Sequence, residues 1–342
     1  MKKMKELAIL CIFCLVLSLV IIPEKPAVQA ASGYKDATSG ALHVDGTKLK
    51  DKKGNTIQLR GVSTHGLSWF PGYVNNKMFK DLHDKWGANV VRLAMYTEEY
   101  NGYCSGSSQN KKDLKALVKK GVKYATDNDL YVIIDWHILS DGNPKTHRKA
   151  AISFFKEMAK EYKNNTNVLY EICNEPNGGT SWSTIKSYAE DVIPAIRKYD
   201  KDAIVIVGTP TWSQDVGRAA ANPIDEDNIM YSLHFYAGTH KKWLRDRAKS
   251  ALESGLPLFV TEFGTTDASG NGTVNKTQSN YWINLLDNKK VSYVNWSLCN
   301  KNESSALIKS SVSKTSGLNR SNLSTSGKWY YDVLRKRAGL AK

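Results

Sequence analysis

Eight short segments of the chain are almost continuously apolar, and they alternate with segments in which apolar residues recur every three or four positions. Continuous apolar runs are typical of parallel strands buried on both faces, whereas the wider spacing is typical of amphipathic helices. The predicted strands cover residues 58–62, 89–93, 131–135, 168–172, 203–208, 229–233, 258–261 and 292–296. This alternation predicts an α/β fold, a (β/α)8 TIM barrel, whose reactive groups gather at the carboxyl ends of the strands.

The helical segments show their core faces in the spacing of large apolar residues, as at Met78, Leu82 and Trp86. We interpret these stripes as core and not as binding surfaces. Pro194 lies inside the helical segment 182–199 and predicts a kink or a break there.

Before the barrel, residues 42–49 and 56–59 flank the turn-rich residues 51–55, which predicts a short N-terminal β-hairpin. A polar lead occupies residues 31–40. No linker of biased composition follows, so residues 41–342 are predicted to form a single domain, the barrel.

The first 30 residues have the pattern of an export signal. Three lysines precede the apolar residues 7–22, and the small-residue cleavage site Val28-Gln29-Ala30 follows. The protein is therefore predicted to be secreted and extracellular, with no membrane association after cleavage. An uncleaved membrane anchor is the alternative, which the short apolar run and its end at Pro23 disfavour.

The formal net charge of the chain is +15. Residues 1–30 contribute four lysines and two glutamates, so the remainder keeps an excess of +13. The lysines are spread over predicted helix faces, which is typical of solvated surface, and no nucleic-acid recognition element is present in the sequence. We therefore expect no nucleic-acid partner. The protein is also predicted to be a monomer.

Cys104, Cys173 and Cys299 remain after signal cleavage, and three is an odd number. Cys173 and Cys299 lie in apolar runs, where a thiol packs as a small hydrophobe, and no Cys/His spacing resembles a zinc site. We predict no disulfide framework, no structural metal and no cofactor. Calcium held by scattered loop oxygens is the open alternative.

Polar and aromatic side chains follow every predicted strand. Two glutamates end buried strands, Glu175 in Leu169-Tyr170-Glu171-Ile172-Cys173-Asn174-Glu175-Pro176 and Glu262 in Leu258-Phe259-Val260-Thr261-Glu262-Phe263-Gly264. Glycosidases place two carboxyl groups around one sugar linkage, one protonated and one ionised. The pair therefore indicates hydrolysis of a polysaccharide.

Several motifs together resemble glycoside hydrolase family 5. They are Asn174-Glu175-Pro176, Glu262-Phe263-Gly264, Ile134-Asp135-Trp136-His137 and His234-Phe235-Tyr236. The segments Arg60-Gly61-Val62-Ser63-Thr64-His65-Gly66-Leu67 and Val294-Asn295-Trp296-Ser297-Leu298 further resemble subfamily 2, the bacterial endo-1,4-β-glucanases. The likeness covers essentially the whole chain from about Leu42 onward.

The resemblance implies a retaining mechanism with Glu175 as the acid/base and Glu262 as the nucleophile. A nucleophile must stay ionised, and Arg92 and Tyr236 are the candidates that would keep it so. By the same resemblance, Asn174 would donate to the sugar 2-hydroxyl. His137 and His234 would bind hydroxyls or orient the carboxylates, although each histidine taken alone has the alternative of a buried ring satisfied within the core.

Substrate contacts are predicted from aromatic and polar residues near the strand ends. Tryptophan rings offer flat apolar faces to glucose rings, although a tryptophan near a strand end can also cap the core. Ala268 corresponds by resemblance to a backbone contact, and Lys301 with Glu303 to a charged pair on the glycone side. The predicted substrate-binding residues are His65, Trp69, Tyr96, His137, Trp212, Tyr236, Ala268, Trp296, Lys301 and Glu303. Trp136 is predicted to lie in the core.

The resulting hypothesis is a secreted endo-1,4-β-glucanase that acts on cellulose and related β-glucans. A β-mannanase or xyloglucanase of the same family is the close alternative, since the choice depends on loop geometry. A noncatalytic carbohydrate-binding barrel is the more distant alternative, and the presence of both glutamates opposes it.

Overall fold

The structure, a computed structural model, describes residues 40–340, and the predicted signal at residues 1–30 lies outside this range. The described part begins with a three-stranded antiparallel sheet of β1 (His43–Asp45), β2 (Lys48–Lys50) and β3 (Thr56–Ile57). The predicted hairpin is therefore a meander, because a second turn at Gly46, with φ of 56°, divides its first strand.

Eight parallel strands then close into a barrel, which confirms the predicted fold. They are β4 (Arg60–Thr64), β5 (Val90–Tyr96), β6 (Tyr131–His137), β7 (Val168–Glu171), β8 (Val205–Val207), β9 (Ile229–Tyr236), β10 (Leu258–Gly264) and β11 (Ser292–Leu298). Six of them (β4, β5, β6, β9, β10 and β11) run two or three residues beyond their predicted ends. Polar residues at these ends, whose type is typical of loops, stay in the β-sheet because they find hydrogen-bond partners inside the barrel.

Helices cover the outside of the barrel. They are α1 (Asn76–Asp81), α2 (Ser108–Asp127), α3 (Arg148–Tyr162), α4 (Trp182–Arg197), α5 (Pro210–Ser213), α6 (Val216–Ala221), α7 (Lys242–Glu253), α8 (Lys276–Lys289) and α9 (Thr325–Arg337). A π-helical segment, Leu82–Trp86, extends α1, and short 3-10 helices occupy Pro71–Tyr73 and Arg320–Asn322. Within residues 40–340 no helix is both long and apolar enough to cross a membrane.

The predicted core stripes are confirmed, since Met78, Leu82 and Trp86 are fully buried. Of the kink or break predicted at Pro194, the break is wrong, because α4 continues through this residue to Arg197. Proline lacks one backbone N–H, and so close to the helix end its loss removes one hydrogen bond and leaves most of the helix intact.

The barrel interior changes in character from bottom to top. At the amino ends of the strands, inward-facing Leu59, Val90, Ile133 and Phe259 form an apolar core. Leu42, Leu49 and Ile57 of the small sheet join this cluster and close the bottom of the barrel. Since strand side chains alternate, the next inward positions along the same strands lie nearer the carboxyl ends, and these carry the polar groups.

Trp136 is fully buried and packs between the strands and α3, with its ring 5.5 Å from that of Phe154, which confirms its predicted core position. Cys104, Cys173 and Cys299 are free thiols, and the last two are buried.

Candidate active site

Glu175 and Glu262 meet at the carboxyl ends of the barrel strands. Glu175 follows β7, Glu262 belongs to β10, and one oxygen of each lies with a ring nitrogen of His234 inside a group whose atoms are all within 4.8 Å of one another. Both carboxyl groups open onto a cavity of about 440 Å³. Its lining residues are Tyr96, His137, Leu139, Glu175, Trp212, Gln214, His234, Tyr236, His240, Glu262, Ala268 and Trp296.

A local irregularity in β10 brings Glu262 into the site. The register of β10 against β9 shifts between Phe259 and Glu262, and against β11 between Val260 and Phe263. Phe259 faces the interior and Val260 the helices, so strict alternation would place Thr261 inside and Glu262 outside. The shift lets both side chains enter the barrel, which is a common use of bulges near active sites.

Arg92 of β5 is the central cation of the site and is fully buried. Its Nε lies 2.7 Å from Glu171 Oε2, its Nη1 3.2 Å from Glu262 Oε2, and its Nη2 3.0 Å from Asp135 Oδ2. Nη2 also donates to Asn174 Oδ1 at 2.7 Å. One guanidinium thus binds three carboxyl groups, as a buried charge requires partners to remain stable.

The two glutamates have different partners. Glu262 accepts from Tyr236 Oη at 2.8 Å and from Arg92, whereas Glu175 Oε1 lies 2.9 Å from His234 Nδ1. Burial raises the pKa of Glu175 and also that of Glu262, and the charge of Glu175 raises the pKa of Glu262 further. Two such carboxyl groups share one proton over a range of pH. Because the donors converge on Glu262, the proton belongs on Glu175.

His137 and His234 are neutral inside the barrel, since burial lowers the pKa of both rings. His137 Nδ1 lies 2.6 Å from Asp135 Oδ2, and its Nε2 lies 3.2 Å from Asn174 Nδ2. Asn174 Nδ2 also donates to the carbonyl oxygen of Ile138 at 3.1 Å. Both amide protons of Asn174 therefore have protein partners, and the predicted bond to a sugar 2-hydroxyl requires sharing one of them.

An aromatic wall extends the cleft on one side of the glutamates. The His65 ring lies 5.7 Å from Trp69 and 5.0 Å from Trp296, and Trp69 meets Tyr96 edge-on at 4.8 Å. Trp296 also stacks on His137 at 5.3 Å and is only 5% exposed. It is therefore packed as part of the wall, and the small exposed part of its side chain lines the cleft.

A second cavity of about 440 Å³ adjoins the first along this wall. Both cavities are lined by Tyr96, Leu139, Tyr236, Ala268 and Trp296, and together they form one elongated cleft. Lys301 and Glu303 form an ion pair in the second cavity. At the opposite end Trp212 lines the first cavity with 45% of its surface exposed. The structure thus brings all the predicted site residues to the face of the barrel at the carboxyl ends of its strands. Their individual roles stay predictions.

Sequence reasoning assigned no role to several residues that the structure places in the site. Asp135 and Glu171 bind Arg92, Thr261 bonds Glu171, and Gln214 and His240 line the cleft. The two-residue period of a strand could have indicated Asp135, Glu171 and Thr261, because each lies two positions from another inward-facing residue of its strand. Gln214 and His240 lie beyond the strands, where no such period applies. Within residues 40–340 no further group of three His, Cys, Asp or Glu side chains gathers as closely as the one described above.

Comparison with known proteins agrees with this geometry. Residues 50–302 match the model of the family described as cellulase, glycosyl hydrolase family 5. Endoglucanase A of Butyrivibrio fibrisolvens is 46% identical over 312 residues, which are 91% of this chain and 72% of that protein. An endoglucanase of Clostridium saccharobutylicum is 53% identical over 289 residues, which are 84% of this chain and 63% of that protein. The chain thus spans about two thirds of the length of these relatives.

A solved structure gives the same result for the fold. The catalytic domain of a Thermobifida fusca endoglucanase, in complex with cellotetraose, matches with a TM-score of 0.82 and 38% identity over 86% of this chain and 97% of that domain. The finer resemblance to subfamily 2 stays a prediction. The match over residues 50–302, the relatives and the paired glutamates at the barrel mouth agree, and the chain belongs to the cellulases of glycosyl hydrolase family 5, a family of hydrolases.

Proposed function

We propose that the protein is a secreted endo-1,4-β-glucanase that hydrolyses internal β-1,4-glucosidic bonds by a retaining double displacement. The observation that carries the proposal is the close approach of Glu175 and Glu262, with oxygens within 4.8 Å. Retaining glycosidases hold their carboxyl groups about 5 to 5.5 Å apart, whereas inverting enzymes leave about 6.5 to 9.5 Å for a water molecule.

In the first step Glu262 attacks the anomeric carbon and Glu175 gives its proton to the departing oxygen. Arg92 and Tyr236 hold Glu262 ionised and aim its oxygens, which reduces the reorganisation needed during attack. Burial keeps the proton on Glu175 near neutral pH because it raises the pKa of that carboxyl group.

In the second step the roles of Glu175 reverse. The leaving sugar departs and a water molecule enters. The ionised Glu175 removes a proton from this water as the water attacks the glycosyl ester on Glu262. The sugar keeps its β configuration because two displacements occur at the same carbon. His234 Nδ1 lies 2.9 Å from Glu175 Oε1, the carboxyl group that gives and takes the proton.

The shape of the cleft supports cleavage within a chain. Two adjoining cavities extend to either side of the glutamates, with aromatic residues at both ends, so sugar units can bind beyond the cleavage point in both directions. The relatives named endoglucanase and the Thermobifida fusca domain with bound cellotetraose support a β-glucan as the substrate.

Product analysis tests which glycosidic bond is cleaved and whether cleavage occurs within the polysaccharide chain. We expect the protein to release mixed cello-oligosaccharides from carboxymethylcellulose and β-glucan, with a rapid fall in polymer length. Mannan and xyloglucan serve as the comparison substrates. Faster cleavage of either one would replace the glucanase assignment with the corresponding activity, and release of a single small product from chain ends would overturn internal cleavage.

The roles of the two carboxyl groups are tested with a pair of variants. Glu262→Gln should remove nearly all turnover, because an amide cannot form the glycosyl ester and has almost the same shape. Glu175→Ala should cleave an activated aryl cellobioside much better than cellulose, since a good leaving group needs no proton. Added azide should then yield the β-glycosyl azide. An α-azide would show inversion and overturn the retaining mechanism.

Secretion and the monomeric state are part of the same proposal. We expect the exported protein to begin near Ala31 and to elute from a sizing column as a single chain. Amino-terminal sequencing of protein recovered from culture medium, with multi-angle light scattering, measures both. A start at Met1 on membrane-bound protein would support the anchor instead.

A further inference from the structure

The hydroxyl of Thr261 is the meeting point of three contacts beneath the catalytic glutamates. Its oxygen lies 2.7 Å from Glu171 Oε1, 2.9 Å from His234 Nε2 and 2.9 Å from Ser232 Oγ. The side chains of these four residues are all buried. Buried polar groups need partners of matching type, so the donors and acceptors in this cluster constrain one another.

The proton of the Thr261 hydroxyl belongs to the contact with Glu171. Arg92 binds both oxygens of Glu171, through Nε at 2.7 Å and Nη2 at 3.1 Å, so this carboxylate acts as an acceptor. A hydroxyl has one proton, and the 2.7 Å contact uses it. Every other group at the Thr261 oxygen must donate to it. His234 therefore carries its proton on Nε2.

The opposite ring nitrogen of His234 is then an acceptor. Burial lowers the pKa of His234 to about 4, which keeps the ring neutral, so Nδ1 has no proton. It lies 2.9 Å from Glu175 Oε1. An unprotonated nitrogen at this distance from a carboxyl oxygen is stabilising only when that oxygen carries the proton. The contact thus favours the acid form of Glu175.

We propose that Thr261 is a positioning residue for the general acid: by accepting the Nε2 proton of His234 it holds the imidazole in the tautomer that keeps Glu175 protonated. The inference rests on the proposed acid/base role of Glu175. Without the hydroxyl, His234 can carry its proton on Nδ1 and donate it to an ionised Glu175, which stabilises the wrong form for the first step.

Other ionisable groups surround Glu175 and His234 from five strands. They are Arg92 of β5, Asp135 and His137 of β6, Glu171 of β7, Tyr236 of β9 and Glu262 of β10. The charge of Arg92 lowers the pKa of Glu175, whereas the charges of Asp135 and Glu171 raise it. All these groups persist when only the Thr261 hydroxyl is removed. A change in the pH dependence of kcat/KM then reports on the contacts that lead from Thr261 through His234 to Glu175.

The first test is Thr261→Val, which removes the hydroxyl and nearly conserves shape. Because Glu175 must be protonated, a lower pKa moves the alkaline limb of kcat/KM to lower pH. On cello-oligosaccharides we expect a shift of about one pH unit or more, since a hydrogen bond to a charged group is worth roughly this much. On a dinitrophenyl cellobioside, whose leaving group needs no proton, the variant should follow the wild-type profile. An unmoved limb, or equal shifts on both substrates, overturns the proposal.

Two matched variants separate this effect from a general loss of buried hydrogen bonds. Thr261→Ser keeps the hydroxyl, and the alkaline limb of its kcat/KM profile should lie at the wild-type pH. Ser232→Ala removes a hydroxyl whose oxygen lies 3.2 Å from Glu171 Oε1 and 2.9 Å from Thr261 Oγ1 and which has no direct contact with His234. We expect its alkaline limb to stay in place. A shift as large as that of Thr261→Val would assign the effect to Glu171 and overturn the path through His234.

A measurement on the unmodified protein gives the tautomer directly. Long-range proton–nitrogen NMR of protein with ¹⁵N-labelled histidine should show His234, assigned by its absence in His234→Gln, as the neutral Nε2–H form at neutral pH. An Nδ1–H form or an imidazolium overturns the proposal whether or not the variants fold. Wild-type activity in Glu175→Ala would instead refute the proposed function, so the two failures are distinguishable.

Discussion

The hydrogen bond from Tyr236 to Glu262 provides a quantitative test of how the nucleophile is kept ionised. Tyr236→Phe removes one hydroxyl, 2.8 Å from Glu262 Oε1, and keeps the ring that lines the cleft. Arg92 remains at 3.2 Å from the other oxygen, so Glu262 keeps its cation. The substitution therefore isolates a single donor.

The expected magnitude follows from the strength of that bond. A hydrogen bond to a charged group contributes about 1.5 to 3 kcal/mol, and one pKa unit corresponds to about 1.4 kcal/mol. Losing the bond should raise the pKa of Glu262 by about one to two units. Because the nucleophile must be ionised, the acid limb of the kcat/KM profile should move to higher pH by this amount. The alkaline limb, which follows Glu175, should move much less.

The assay is the pH dependence of kcat/KM on cello-oligosaccharides, with folding checked by thermal unfolding at each pH. Tyr96→Phe is the matched control, since it removes a hydroxyl from the same cleft and leaves the Tyr236–Glu262 bond in place. An acid limb that stays where it is in a folded Tyr236→Phe protein would refute the reasoning. So would an equal shift in Tyr96→Phe.

Three further predictions concern the aromatic wall, the core and metals. Trp296→Ala should lower kcat/KM on cello-oligosaccharides about tenfold or more, since stacking is worth on the order of 1 to 2 kcal/mol, and wild-type kinetics in a folded variant would make the ring only a core cap. Trp282 stacks on Phe235 at 4.0 Å and is fully buried, so Trp282→Ala should lower the free energy of unfolding in urea by about 3 to 5 kcal/mol. Tyr281→Ala, at a neighbouring residue that is 54% exposed, should change it by less than about 0.5 kcal/mol, and equal losses would contradict this. Chelation with EDTA should leave kcat/KM unchanged, and a loss restored by added calcium would reveal a structural ion.

Much of the fold could be predicted because its strands are buried on both faces. A strand inside a barrel has to be apolar for several residues, and this need is local enough to appear in the sequence at all eight strands. The positions of Glu175 and Glu262 could be predicted for the same reason, since each follows such a run. The small sheet before β4 is harder to predict, because its strands are too short to give a clear pattern and the turn at Gly46 divides the first of them.

The predicted strands end too early because polar residues in a sequence are typical of loops. Tyr131 and Ile133 face the barrel interior, and Asp135 and His137 occupy the next inward positions of the same strand. Arg92 lies in the same way two positions after Val90. The alternation was present in the sequence, but a polar residue in a strand becomes stable only when partners from other strands surround it.

The sequence by itself determined the eight-stranded barrel, the end of the barrel that carries the chemistry and the two glutamates that face one another there. Only the tertiary structure decided which groups control those glutamates. Arg92 and Glu262 are 170 positions apart, and Glu171 and Thr261 are 90 apart, so no local pattern couples them. The bulge in β10 adds to this, because one shifted register admits both Thr261 and Glu262 to the interior. Charge pairing and proton placement depend on distances of about 3 Å, and only closure of the barrel creates such distances.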